Sequence, residues 1–124
     1  MGHKVAVVED NPDNRMLVQA LLEDRYEISE YESGVEAVEG LPGDVPDLVL
    51  LDISLPEMDG TEVLAWIRQH PDLKDVPVIA LTAHAMAGDR EKFLAAGFND
   101  YVTKPILDED VLIGVIERWL SPTG

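Results

Sequence analysis

A chain of 124 residues suits one domain with a single core, and its 46% apolar content argues against disorder. Twenty-five Asp and Glu against nine Lys and Arg give a formal charge of −16, which repels phosphate backbones and argues against direct nucleic-acid binding. No apolar stretch approaches the ~20 residues of a membrane helix, no signal peptide precedes Val5, and the absence of cysteine removes disulfides and thiolate chemistry.

A soluble cytoplasmic protein is the simplest expectation, with one domain over residues 1–124. Most of the acids serve solubility, although such a surface also favours partners with basic patches and attracts divalent cations.

Lys4-Val-Ala-Val-Val8 reads as a first apolar strand, ended by Glu9-Asp10. Asn11-Pro12 opens a helix, Asn being a good N-cap and Pro suited to the first helical position. Leu17, Ala20 and Leu21 give that helix an apolar stripe, widened by Val18 and Leu22. Tyr26-Glu-Ile-Ser-Glu30 alternates polar and apolar and predicts a strand with one wet face, at an edge. Ser33-Gly-Val-Glu36 has capping-box spacing and starts a short helix that stops by Gly40-Leu-Pro42-Gly43.

Leu48-Val-Leu-Leu-Asp52 is an apolar run into a single acid, followed at once by Pro56-Glu-Met-Asp59-Gly60. It predicts a strand buried on both faces, with Asp52 at its carboxyl end, where open α/β sheets bind ligands. Taken alone, Asp52 is as well explained as a turn cap. Asp59 caps the next helix, which carries Val63, Leu64 and Ile67 and closes at His70-Pro71. Val76-Pro-Val-Ile-Ala-Leu81 is the third strongly apolar strand, ended by Thr82. A helix from about Met86 to Ala96 stops at Gly97, and Asn99–Thr103 is a short, more polar strand before Lys104-Pro105. The last helix starts near Asp108, with Leu112, Val115, Ile116 and Trp119 on one stripe.

Five β-α units in succession call for a doubly wound parallel sheet with helices on both faces. The all-apolar strands belong in the centre and the two mixed ones at the edges, which the order 2-1-3-4-5 satisfies. Glu9, Asp10, Asp52, Thr82 and Lys104 then leave successive strand ends on one rim. Three carboxylates converging there repel one another unless a divalent cation sits among them, and oxygen donors without thiols point to Mg²⁺. A cation, a lone carboxylate, an ammonium and a hydroxyl are also what phosphoryl transfer needs, with Asp52 as nucleophile.

Val8-Glu9-Asp10-Asn11, Leu51-Asp52-Ile-Ser-Leu-Pro56-Glu-Met-Asp-Gly60, Leu81-Thr82-Ala83 and Val102-Thr-Lys104-Pro105 together resemble the receiver domain of two-component response regulators, of the free-standing, chemotaxis-regulator-like kind. The resemblance covers essentially the whole chain. It implies a flavodoxin-like fold with five helices and a signalling phosphoacceptor with Mg²⁺-dependent self-phosphorylation and autodephosphorylation, rather than an enzyme acting on another substrate. It further implies that Asp52 accepts phosphate from a phosphohistidine on a sensor histidine kinase or histidine phosphotransfer protein. Asp10, Asp52 and the Ser54 carbonyl would bind Mg²⁺, with Glu9 helping through water. Thr82 and Lys104 would hold the phosphoryl group, Tyr101 would partner Thr82 in the switch toward a downstream protein target, and the Lys104–Pro105 bond would be cis.

His84, two residues past Thr82, either overhangs the acceptor or is an ordinary exposed side chain. Trp66 faces away from Val63 and Ile67, as a contact residue or a half-covered surface Trp. The helix ending at Gly97, the fifth strand and the last helix make up the surface that receivers commonly use for signalling. A receiver cut from a hybrid kinase or larger regulator fits the same residues. A flavin carrier on this sheet needs a Ser/Thr/Gly-rich phosphate loop where Glu9-Asp10-Asn11-Pro12 stands, an aspartyl phosphatase needs a cap insertion, and a bare interaction module leaves the acids unexplained.

Overall fold

The computed structural model describes residues 3–55, 57–83, 89–104 and 109–120. Strands β1 (Lys4–Val8), β2 (Glu27–Tyr31), β3 (Leu48–Asp52), β4 (Val78–Thr82) and β5 (Asp100–Thr103) form one all-parallel sheet in the order β2-β1-β3-β4-β5. Between and after them run α1 (Pro12–Leu22), α2 (Gly34–Gly40), α3 (Gly60–Gln69), α4 (Asp89–Ala96) and α5 (Glu109–Leu120), with a short 3₁₀ turn at Leu41–Gly43. The expected order and the two mixed edge strands are both present.

Period-2 alternation sorts the central strands between two cores. Ala6, Val8, Val49, Leu51, Val78 and Ala80 face α2 and α3, where Ala37, Leu41, Val63, Leu64 and Ile67 pack. Val5, Val7, Leu48, Leu50, Ile79 and Leu81 face the other way, onto Val18 and Leu22 of α1 and Leu112, Ile113 and Ile116 of α5. Both faces of β1, β3 and β4 are thus dry, and their polar residues are pushed to the strand ends.

Local chemistry starts the helices where expected. Asn11 Oδ1 accepts from the amides of Asp13 and Asn14 at 2.8 and 3.2 Å. Asp59 forms a full capping box with Glu62, whereas at Ser33 only half of one forms: Glu36 turns its carboxylate to the Glu32 amide, at 3.1 Å, one residue further out.

Two helical stripes differ from the sequence reading. On α1 the pair facing the sheet is Val18 and Leu22, one turn apart, which leaves Leu17 and Ala20 exposed. On α5 Ile113 takes the place expected of Trp119; the indole sits 37% exposed, its N–H donating to Asp100 Oδ2 at 3.2 Å. β4 starts two residues late because Val76 gives its carbonyl to Arg68 Nη1 at 2.7 Å and Pro77 has no N–H for a ladder.

Candidate functional site

The site lies at the carboxyl ends of β1, β3, β4 and β5. Glu9 follows β1 directly, and its carboxylate is fully buried. Asp52, the last residue of β3, is 2% exposed, while Asp10 lies at the surface. Oxygens of these three carboxylates all fall within 4.8 Å of one another. Lys104, just past β5, sends its ammonium between the two buried ones: Nζ stands 3.1 Å from Glu9 Oε1 and 3.1 Å from Asp52 Oδ2. The other Asp52 oxygen, Oδ1, accepts from the Ser54 amide at 2.9 Å, and Glu9 Oε2 accepts from the Asn11 amide at 3.2 Å.

Register accounts for this convergence. Asp52 pairs with Leu81, so Thr82 comes one step beyond it, and the Thr82 carbonyl accepts from the Lys104 amide at 2.7 Å. Thr82 is itself buried. Gly60 closes the loop after Asp52, its amide donating to the Ile53 carbonyl at 3.0 Å. A Cβ at position 60 would lie 2.5 Å from the Asp52 carbonyl oxygen, so no larger residue fits there. In the same loop Glu57 holds φ at 62°, a left-handed conformation that costs a side-chain-bearing residue energy and clusters at functional sites.

Burial, and then Asp52 beside it, push the Glu9 carboxyl up to about 7, although Lys104 and the Asn11 amide pull the other way. Burial works against the charged form of Lys104, but Glu9 and Asp52 outweigh it and hold the ammonium above its ordinary range. Two buried carboxylates share one ammonium, a donor set short of positive charge. Three carboxylates and no thiols fit a hard divalent cation such as Mg²⁺.

The geometry therefore brings together Glu9, Asp10, Asp52, Ser54, Thr82 and Lys104. Tyr101 stands further back: it pairs with Ala80 in the sheet and packs half-buried against Phe93, ring centroids 5.6 Å apart. His84 and Pro105, and with it the Lys104–Pro105 bond, lie outside the described residues. Trp66 is half-buried, tilted against His70 at 5.3 Å, which fits a partly covered side chain. Arg15 has no motif to announce it, yet its Nη1 donates to the Glu9 carbonyl at 2.8 Å.

The sequence profile of the response regulator receiver domain matches residues 5–117. The chain belongs to that family. It is thus a phosphoacceptor domain of two-component signalling, in which histidine kinases are the phosphodonors. This receiver domain is 49% identical over 121 residues to the signal transduction histidine-protein kinase BarA of Escherichia coli K12, aligning 97% of the chain with 13% of that protein. It spans only a small part of the kinase's length. To the polar-differentiation response regulator DivK of Brucella ovis it is 43% identical over 107 residues, 86% of this chain and 87% of that one. Among solved structures it resembles the receiver domain of a sensor histidine kinase from Pseudomonas aeruginosa PAO1, with TM-score 0.87, 37% identity and 98% and 99% of the two chains covered. That structure holds a magnesium ion coordinated in its active-site cleft. The chemotaxis response regulator CheY4 of Vibrio cholerae superposes with TM-score 0.89 at 26% identity, over 97% of the receiver domain and 100% of CheY4. Among the described residues no helix is long and apolar enough to cross a membrane.

Proposed function

We propose that Asp52 is the phosphoryl acceptor and that Glu9, Asp10, Ser54, Thr82 and Lys104 serve it. The observation that carries this reading is the ammonium of Lys104 bridging Glu9 and Asp52 at 3.1 Å each, in a pocket completed by Asp10. An Asp52 carboxylate oxygen attacks phosphorus, the new O–P bond forms as the P–N bond to the donor imidazole breaks, and the imidazole nitrogen keeps the electron pair and takes up a proton. Lys104 neutralises charge on the transferring group, and the Thr82 hydroxyl donates to one of its oxygens. Asp10, Asp52 and the Ser54 carbonyl are the groups that would hold Mg²⁺, with Glu9 reaching it through water. Bound Mg²⁺ supplies charge neutralisation at the phosphoryl oxygens.

The donor in this reading is a phosphohistidine on a sensor histidine kinase or a histidine phosphotransfer protein, in the cytoplasm. The same residues take phosphate from small phosphodonors, whose leaving group departs with the electron pair of the broken bond to phosphorus. Water then attacks the phosphorus, breaking the acyl O–P bond to release phosphate and regenerate the Asp52 carboxylate. The consequence of phosphorylation is an inward pull on Thr82, a rotation of Tyr101 toward the space it leaves, and a changed protein-binding surface beyond Thr82.

The test is to incubate the protein with a small phosphodonor, with Mg²⁺ or with EDTA, and to read intact mass and the site of the acyl phosphate after reductive trapping. The expected outcome is a single Mg²⁺-dependent phosphoryl group at Asp52. Modification elsewhere, or equal labelling in EDTA, contradicts the reading.

A further inference from the structure

The acid pocket depends on the backbone of Glu9, which is gripped on both sides of its Cα. Its N–H donates to the Tyr31 carbonyl at the end of β2, at 3.1 Å, and its carbonyl accepts from Arg15 of α1, at 2.8 Å. Arg15 also reaches beyond that carbonyl. Its Nε lies 3.5 Å from Glu30 Oε1 and its Nη2 3.7 Å from Glu32 Oε1, and the side chain is only 14% exposed. One planar cation thus ties the β1–α1 loop to the end of β2 and to the residue beyond it. A guanidinium presents donors in several fixed directions at once, which an ammonium does not. Helix capping does not require it, because Asn11 already caps α1.

Resting on the metal-site reading above, we infer that Arg15 is a positioning residue for that site. By fixing the Glu9 carbonyl against Glu30 and Glu32, it presets the Glu9 and Asp10 carboxylates opposite Asp52, so that Mg²⁺ meets an ordered donor set. Groups that orient metal ligands without touching the metal typically control affinity by 10–100-fold. The sign of the effect discriminates. By charge alone, deleting a cation beside an acidic pocket tightens binding of a second cation. Loss of positioning weakens it.

The experiment is calorimetric titration of Mg²⁺ alone into the EDTA-treated full chain, with thermal melts alongside, for wild type, Arg15→Met, Arg15→Ala, Arg15→Lys, Val18→Ala and Asp10→Asn. Arg15→Met keeps the apolar stem and loses every donor, so it carries the test if Arg15→Ala fails to fold. A Kd about tenfold higher is expected for Arg15→Met and Arg15→Ala, with part of the loss recovered in Arg15→Lys. Val18→Ala, buried on the same helix in the core that α1 shares with α5, is expected to melt lower with an unchanged Kd. An unchanged or lower Kd in Arg15→Met overturns the inference, and so does an equal weakening in Val18→Ala. If Asp10→Asn weakens Mg²⁺ binding while Arg15→Met does not, only the role of Arg15 fails; if Asp10→Asn also leaves the Kd unchanged, the metal site fails with it.

Discussion

Glu9 offers a direct electrostatic test of the pocket in its metal-free state. Its carboxyl titrates near 7 in the folded protein and from 4.5 when unfolded, because burial and Asp52 both oppose the charged form. Between those values the folded chain holds a proton that the unfolded chain has released, so this group favours the fold at low pH. That advantage drains away as pH rises from about 4.5 through about 7. Each pH unit in the window is worth about 1.4 kcal/mol, and the whole gap reaches about 3 kcal/mol as a ceiling. Glu9 is fully buried, so solvent screens little of this, though Lys104 already returns part of it. The perturbation is Glu9→Gln, which keeps the shape and removes the titration. Urea unfolding in EDTA at pH 5 and pH 8 measures it: wild type is expected to lose stability relative to Glu9→Gln by about 2–3 kcal/mol across that range. Saturating Mg²⁺ should flatten the difference by pairing the ionised acid. Parallel pH profiles for the two proteins in EDTA would refute the picture of a crowded, desolvated carboxylate pair.

Single contacts make further expectations. Gly60→Ala drives a methyl to 2.5 Å from the Asp52 carbonyl and 2.7 Å from Ile53 Cα, backbone atoms with no room to yield, and should cost about 2–3 kcal/mol by urea unfolding while weakening Mg²⁺ binding. Thr82→Ala and Lys104→Ala should leave Asp52 able to take a phosphate mimic but blunt the conformational response; amide shifts of residues 83–105 with and without beryllofluoride are expected to move less in both variants than in wild type. An identical response in all three proteins would disprove the proposed coupling of Thr82 to Tyr101.

Most of the architecture could be read in the chain because the three central strands of the sheet are dry on both faces. Strands such as Leu48–Asp52 then show as unbroken apolar runs, and any polar residue ending one of them marks the rim. Asn11, Ser33 and Asp59 marked their helices through local hydrogen bonds that sequence spacing displays directly. The features that stayed hidden depend on distance in the fold. The choice of Val18 and Leu22 over Leu17, and of Ile113 over Trp119, is a rotation of an amphipathic helix that its neighbours decide. Arg15 touches a carbonyl six residues back and carboxylates on β2 and just beyond it, a contact with no periodic signature. Glu57 in a left-handed conformation breaks the preference for Gly at such positions, so nothing in the sequence predicts it.

The central claim is that Asp52 is the group that takes phosphate, and Asp52→Asn tests it most directly. An amide of the same shape keeps the fold and the other pocket groups but lacks the nucleophilic carboxylate. With Mg²⁺ and a small phosphodonor, wild type is expected to gain one phosphoryl group by intact mass and Asp52→Asn none. Labelling of Asp52→Asn to the wild-type level would contradict the account.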